Sequence, residues 1–520
     1  MSTAQPRLAQ AAALATALVA ISLLALLTLD AHIANAATVA CTTICTGTSG
    51  ACNVSGTITI TPGSTIDCTG RQVYVNNLAT IKVEDGDMKL LASTLTIYST
   101  GVMRASQVAG GGTLAVEIET TGAIAIYGSI QADAAAGGGS ITIDAGGNVT
   151  IVDDGTQGIE ANGTASGASG GAIAIRSVGS VSISNPVRAE SAAAGEVVGG
   201  RITIDATTDV NITTTSGKVF VNGHKMDGGT IDINAGDDIA ITTSAKLEAN
   251  GRGAGGNGGG VYLTAQDYID VASTISTRGG VGVSGSMSSG GSLEIESGCG
   301  GVRIAANLDL RGGELGGGID GGSLVVDTLG GITVESGILI DAKGAGNGGP
   351  GGDVLLNSGG LVDLKANSVI DVRGDTSDPN GDGRGGKIEI TGCEIDAEAG
   401  AKLDAQGFDG GTITLDAVSP ATPQVTTLHL AGTSVIDTNS SVSSVDGMIR
   451  ATVVNESLTG YCATNPSVPC TLDANCTVGC TPGDCAGLNP DTDNVLTQFK
   501  ATPDLMVEKN LARCANECTP

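Results

Sequence analysis

Gly228-Gly229-Thr230-Ile231-Asp232-Ile233-Asn234-Ala235 carries the pattern that decides the fold. Two glycines are followed by strict alternation, so Ile231 and Ile233 point to one face of a strand and Thr230, Asp232 and Asn234 to the other. The same unit is written Gly138-Gly139-Ser140-Ile141-Thr142-Ile143-Asp144-Ala145 and Gly410-Gly411-Thr412-Ile413-Thr414-Leu415-Asp416-Ala417. Its second glycine falls at Gly112, Gly139, Gly171, Gly200, Gly229, Gly259, Gly291, Gly322, Gly352, Gly386 and Gly411, at steps of 25 to 34 residues that average 30. A fixed period of this length is the signature of a repeat architecture.

Two shorter strands complete each unit. The second reads apolar-x-apolar, as in Val149-Thr150-Ile151, Ile239-Ala240-Ile241 and Ile332-Thr333-Val334. The third reads apolar-x-small-polar-Gly, as in Leu247-Glu248-Ala249-Asn250-Gly251 and Ile340-Asp341-Ala342-Lys343-Gly344. The turns between them are too short for a crossover helix, which excludes a βαβ sheet. Three strands in about 30 residues form one coil of an all-β, single-stranded parallel β-helix, each coil hydrogen-bonded to the next. Less regular strands from Gly56 to Val108 are expected to add coils.

Composition agrees. Of 520 residues, 82 are Gly, none is Trp and only 2% are aromatic, while 41% are hydrophobic. Stacked Ile, Val and Leu fill a narrow bore that leaves no room for Trp, and glycine serves positive φ or close backbone approach. Gly-X-Y periodicity is absent, which excludes collagen. With 25 Lys and Arg against 54 Asp and Glu, the net charge is −29, which excludes a basic nucleic-acid-binding surface.

The N-terminus reads as an export signal at 1–36: Arg7, an apolar run from Ala11 to Leu29, then Ala34-Asn35-Ala36 as a small-x-small cleavage site. Retention as a membrane anchor is the alternative. No later run is long enough to span a bilayer. A secreted or cell-surface location makes disulfides the expected state of the 13 cysteines. Cys41, Cys45, Cys52 and Cys68 lie at the mature N-terminus. Cys462, Cys470, Cys476, Cys480, Cys485, Cys514 and Cys518 crowd the tail. Residues 37–110 thus read as a cap with the first irregular coils, 111–454 as the repeats, and 455–520 as a Cys-rich cap or module. Cys299 and Cys393 sit in similar turns of coils three apart, about 14 Å from each other and too far to bond.

The repeat resembles the Gly-Gly-x-Ile-x-Ile solenoids of filamentous-haemagglutinin-like and related right-handed parallel β-helix bacterial surface proteins, over roughly Gly112 to Asp437. That resemblance implies a surface or secreted β-helix and leaves the function open, because adhesins, scaffolds and polysaccharide enzymes share the fold. Two features are missing: an Asn-Pro-Asn-Leu-type secretion motif and C-terminal strands of an outer-membrane barrel.

Stacking turns sequence positions into columns. The third strands present Asp309, Asp341, Asp371, Asp404 and Asp437 on their outward face, and Arg311, Lys343 and Arg373 follow two residues later. The reading favoured here is an acidic surface ladder held by Asp–Arg/Lys pairs; the competing reading is an acidic groove for a divalent cation. A second column, Glu117, Asp144, Asp205, Asn234, Glu296, Asp327, Asn357 and Asp416, is expected to cap turns through its own backbone. Asp378, Asn380 and Asp382 open a D-x-N-x-D-G-x₅-E stretch with EF-hand character, a candidate Ca²⁺ site and the only cofactor suggested; the competing and favoured reading is a solvated Asx-rich turn. Glu389 completes that motif but lies inside a repeat strand, which argues against its being a ligand. Three histidines without a Ser or Cys arrangement give no triad.

The expectation is a non-enzymatic, exported adhesin-like or scaffold rod. Its partner is a cell-surface or matrix polysaccharide or protein, with no nucleic acid, no membrane beyond the signal segment, and self-association possible. The alternatives are a Ca²⁺-dependent polysaccharide lyase or hydrolase, and a structural subunit of an extracellular fibre.

Overall fold

The computed structural model describes residues 37–453, apart from 46–49, 108–113, 156–157, 192–196, 214–216, 254, 281–287, 314–318, 347, 378–382, 418–427, 432 and 439–446. Beyond these it describes only short strands between 459 and 486. Almost every described element is a β-strand. The one helix among them is the four-residue Cys41–Ile44.

The chain forms a parallel β-solenoid. First strands of successive coils stack in register, as Ser140–Ala145 on Ala172–Ser177, Arg201–Ala206 and Thr230–Ala235. Second strands stack likewise, as do third strands, which form a separate sheet of 14 strands. The first and second columns join into a 27-stranded sheet because the long strands Ser64–Val75 and Met88–Ile97 run through the corner between them. Fourteen third strands at ~4.8 Å make a rod of about 60 Å.

Alternation builds the core. Ile141, Ile173, Ile202, Ile231, Val261 and Leu293 occupy one register position and are each at most 1% exposed. Each such side chain contributes about 1.5–3 kcal/mol by leaving water. The paired glycines before each first strand have a steric cause. A Cβ on Gly229 would collide with the carbonyl oxygen of Gly200 in the coil below, and none of the described paired glycines needs positive φ. Close backbone approach, not turn conformation, therefore fixes this motif.

Two disulfides, Cys41–Cys68 and Cys45–Cys52, cap the N-terminal end. They hold Thr38–Ala40 and Cys52–Val54 against the two halves of Ser64–Val75, covering an edge that would otherwise expose unpaired strand groups. The expected β-helix with a disulfide cap is thus realised at this end. In the tail, Thr459–Cys462 pairs antiparallel with Asn465–Thr471 and Cys485–Ala486, so the parallel repeat has ended.

Candidate functional site

The third-strand carboxylates Asp309, Asp341, Asp371, Asp404 and Asp437 lie in one register column across five coils. Asp404 is fully buried, and Asp341, Asp371 and Asp437 are at most 6% exposed. Cations alternate with them. Arg311 Nε lies 2.8 Å from Asp309 and 3.5 Å from Asp341, and Lys343 Nζ 3.3 Å from Asp341 and 3.6 Å from Asp371. Arg373 repeats the bridge at 2.8 Å from Asp371 and 3.3 Å from Asp404, and Lys402 lies 2.5 Å from Asp404. Gln406 Nε2 donates to Asp437 at 2.8 Å. Each bridging cation thus serves its own coil and the next, so attraction runs along a column where like charges alone would repel. Burial pushes the Asp341 carboxyl up, Asp371 adds to this, and Lys343 and Arg311 oppose it. The hydrogen bond to Asp371 raises Arg373 further above its ordinary value. The returning backbone of Gly349 and Pro350 lies against Gly344 at the end of the same coil motif.

Toward the N-terminus the wall changes chemistry. Glu160, 4% exposed, accepts from Arg188 at 3.2 Å; burial raises its carboxyl, with Asp133 adding to the effect. Two residues after the wall position, side-chain oxygens accept backbone N–H groups of the next coil. Asp133 accepts from Asn162 at 2.7 Å, Asn162 from Glu190 at 3.0 Å, Asn222 from Asn250 at 2.9 Å and Asn250 from Arg278 at 2.8 Å. Sequence reasoning missed this amide ladder, although Asn before the motif glycine in Asn162-Gly163, Asn222-Gly223 and Asn250-Gly251 was its signal.

The column closing the first strands differs from the expectation in two ways. Glu117 does not belong to it: Glu119 pairs with Asp144, and Glu117 pairs with Thr142 and bonds Lys89 at 2.6 Å. The strand begins two residues later than the glycine pair implies, and Leu114-x-Val116 and Val116-x-Ile118 alternate identically, so the pattern cannot tell them apart. The observed bonds of this column also run between coils: Arg176 to Asp144 at 3.1 Å, Asn234 to Asp205 at 2.8 Å and Asn357 to Asp327 at 3.0 Å.

Other polar groups are dispersed. His429 Nδ1 lies 2.7 Å from Asp396, which stacks on it from the preceding coil. Asp237, Asp238 and Asp267 gather at an outer corner, where burial first and then the neighbouring carboxylates raise Asp238. Tyr74, Tyr98 and Tyr127 stack with ring centroids 6.2 and 6.5 Å apart, so half of the chain's six tyrosines make one external ladder. An open trough follows the glycine pairs along the rod, lined by Gly170, Gly171, Gly199, Gly200, Gly228 and Gly229. Asp378, Asn380 and Asp382 lie outside the described residues, while Glu389 is half-buried in its strand and pairs with Lys387.

Comparison with protein families, with characterised proteins and with solved structures finds no match to this chain.

Proposed function

We propose that this chain is a non-enzymatic, exported bacterial rod that displays its Gly-rich loops and Cys-rich tail to a cell-surface or matrix polysaccharide or protein. The observation that carries the reading is the state of the third-strand wall. A lyase-type cleft needs carboxylates open to water and to a divalent cation. Here Asp341, Asp371 and Asp404 are buried, and their oxygens already face Arg311, Lys343, Arg373 and Lys402. Such a wall serves register, and recognition is left to the outer corners, the trough and the tyrosine ladder. Filamentous-haemagglutinin-like character and surface display belong to this proposal, resting on the repeat motif and the leader-like N-terminus. Calcium enters only as a binder of the Asp378–Asn380–Asp382 loop.

Retention of the full secreted chain on immobilised acidic polysaccharides and matrix proteins, with and without Ca²⁺, tests it. Binding of intact polymer or matrix protein is expected. Release of unsaturated uronides or new reducing ends, lost in Asp341→Ala, would replace the rod by the enzyme.

A further inference from the structure

We infer, resting on the display role proposed above, that its partner is an uncharged polysaccharide lying along the second-strand wall of the N-terminal coils. Register stacks Tyr74, Thr96, Ala125, Thr150, Ser182 and Asn211 in one half-buried, outward column about 24 Å long. Two residues later Tyr98, Tyr127, Val152, Ser184 and Thr213 form a second column, each backbone N–H donating to the coil before. No member of either column carries a charge. Charge enters the first column at Asp270, which stacks on Arg303 of the next coil.

The same face further along the rod gives the contrast. There Arg303 lies 3.0 Å from Asp270 and 2.7 Å from Glu335, and Lys365 lies 2.7 Å from Asp363 and 3.0 Å from Glu398. That half satisfies its charges within itself; the N-terminal half has none to satisfy. Residues 37–110 hold four Lys and Arg against four Asp and Glu, so the net charge of −29 falls elsewhere in the chain. An ionised polymer finds no countercharge on this wall, and complementarity selects an uncharged one.

The tyrosines point to the chemical class. Tyr98 and Tyr127 are 39% and 37% exposed, and their rings stack with that of Tyr74 in one row. Leu78, 79% exposed, stands in the adjoining turn at φ of +63°, its N–H donating to Thr100 Oγ1 at 2.8 Å. Polar groups fringe the row: Tyr74 Oη donates to Gln72 Oε1 at 2.8 Å and Ser99 Oγ to Asn77 Oδ1 at 3.2 Å, while the hydroxyls of Ser184 and Thr213 lie 2.8 Å apart. Sugar rings present apolar C–H faces bordered by hydroxyls. Tyrosines bordered by hydroxyls and amides offer the matching apolar surface and hydrogen-bond partners. Set in line along a straight rod, they suit an extended polymer and not a single sugar.

Sedimentation of the full secreted chain with insoluble cellulose, curdlan and cross-linked dextran decides the matter. Retention on at least one is expected, and it should persist from about 0.1 to 1 M NaCl because no ion pair contributes. Affinity is expected to fall about tenfold in Tyr98→Ala/Tyr127→Ala and to stay within about threefold in Tyr98→Phe/Tyr127→Phe, which keeps the rings. Thr150→Asp, which spares the rings and charges the wall, is expected to weaken retention too, and decides should the alanine variant fail to fold. Retention on none of the three polymers, or equal retention of parent and variants, overturns the inference. Binding only to polygalacturonate or a matrix protein, unmoved by these substitutions, overturns it while the display role stands; release of uronides removes that role itself. A parent dimer that the alanine variant dissociates would assign the wall to a second copy and overturn it as well.

Discussion

Asp404 shows at the scale of one residue how this protein tolerates buried charge. Its carboxylate is fully buried, with Lys402 from its own coil and Arg373 from the preceding one in contact. Removing one partner leaves the other groups desolvated without full compensation, at a cost of about 1–3 kcal/mol. Arg373→Met is therefore expected to lower stability by that amount in urea titration, and the partner-free double variant Arg373→Met/Asp404→Asn to recover part of it. A single-variant loss under about 0.5 kcal/mol would mean the bridge does not hold the coils. Glu160 gives a pH dependence. Burial raises its carboxyl above the ordinary value of 4.5, so the folded chain holds the proton more tightly than the unfolded chain does. Stability contributed by this group falls as pH rises from about 4.5 through the folded value, and returns as pH is lowered. Urea midpoints are expected to rise between pH 7 and pH 5, and to rise less in Glu160→Gln. An equal rise in both would remove Glu160 as a cause. The column of Asp309 to Asp437 was legible in the sequence because spacing alone aligns it; its burial was not, because covering segments are set by tertiary packing.

The element that repeats is the glycine pair and its strand. Alanine at Gly229 would place a methyl against the Gly200 carbonyl of the preceding coil, where neither backbone can yield without breaking the ladder. Overpacking of this kind costs about 1–3 kcal/mol. Gly337 has φ of +72° and open space around it, so alanine there meets only backbone strain, about 1 kcal/mol. Gly229→Ala is expected to lose more than Gly337→Ala in parallel thermal melts; the reverse order would restore turn conformation as the motif's cause. The cap divides similarly. Cys41–Cys68 closes 27 residues and Cys45–Cys52 closes 7, so chain entropy assigns them about 3.5 and 2.4 kcal/mol. Hydrogen exchange in the first coils is expected to accelerate more in Cys68→Ala than in Cys52→Ala, and equal protection would discount the longer loop. Alternation and period revealed the strands and their columns. They could not fix register where the alternation continues through a boundary, which is why Glu117 stood in for Glu119. The asparagine ladder was hidden for another reason: its partners are backbone groups a full coil away.

At the scale of the whole molecule, the described solenoid is a rod of about 60 Å with an aliphatic interior and a charged wall in which Arg and Lys bridge successive Asp residues. Small-angle scattering is expected to return an elongated particle of that solenoid length. The sequence announced the rod through its period and its lack of large aromatic side chains. It did not announce that three tyrosines would meet on one outer edge, because their spacings follow coil length rather than any local motif. Nor does fold alone choose between a passive rod and a polysaccharide enzyme. That choice rests on whether the third-strand carboxylates are available for chemistry. The most direct measurement is incubation of the full chain with polygalacturonate and Ca²⁺, reading bound polymer and unsaturated uronide together, beside Asp341→Ala. Intact polymer with no uronide from either protein is the expected result; uronide formed by the parent chain and abolished by Asp341→Ala would contradict it.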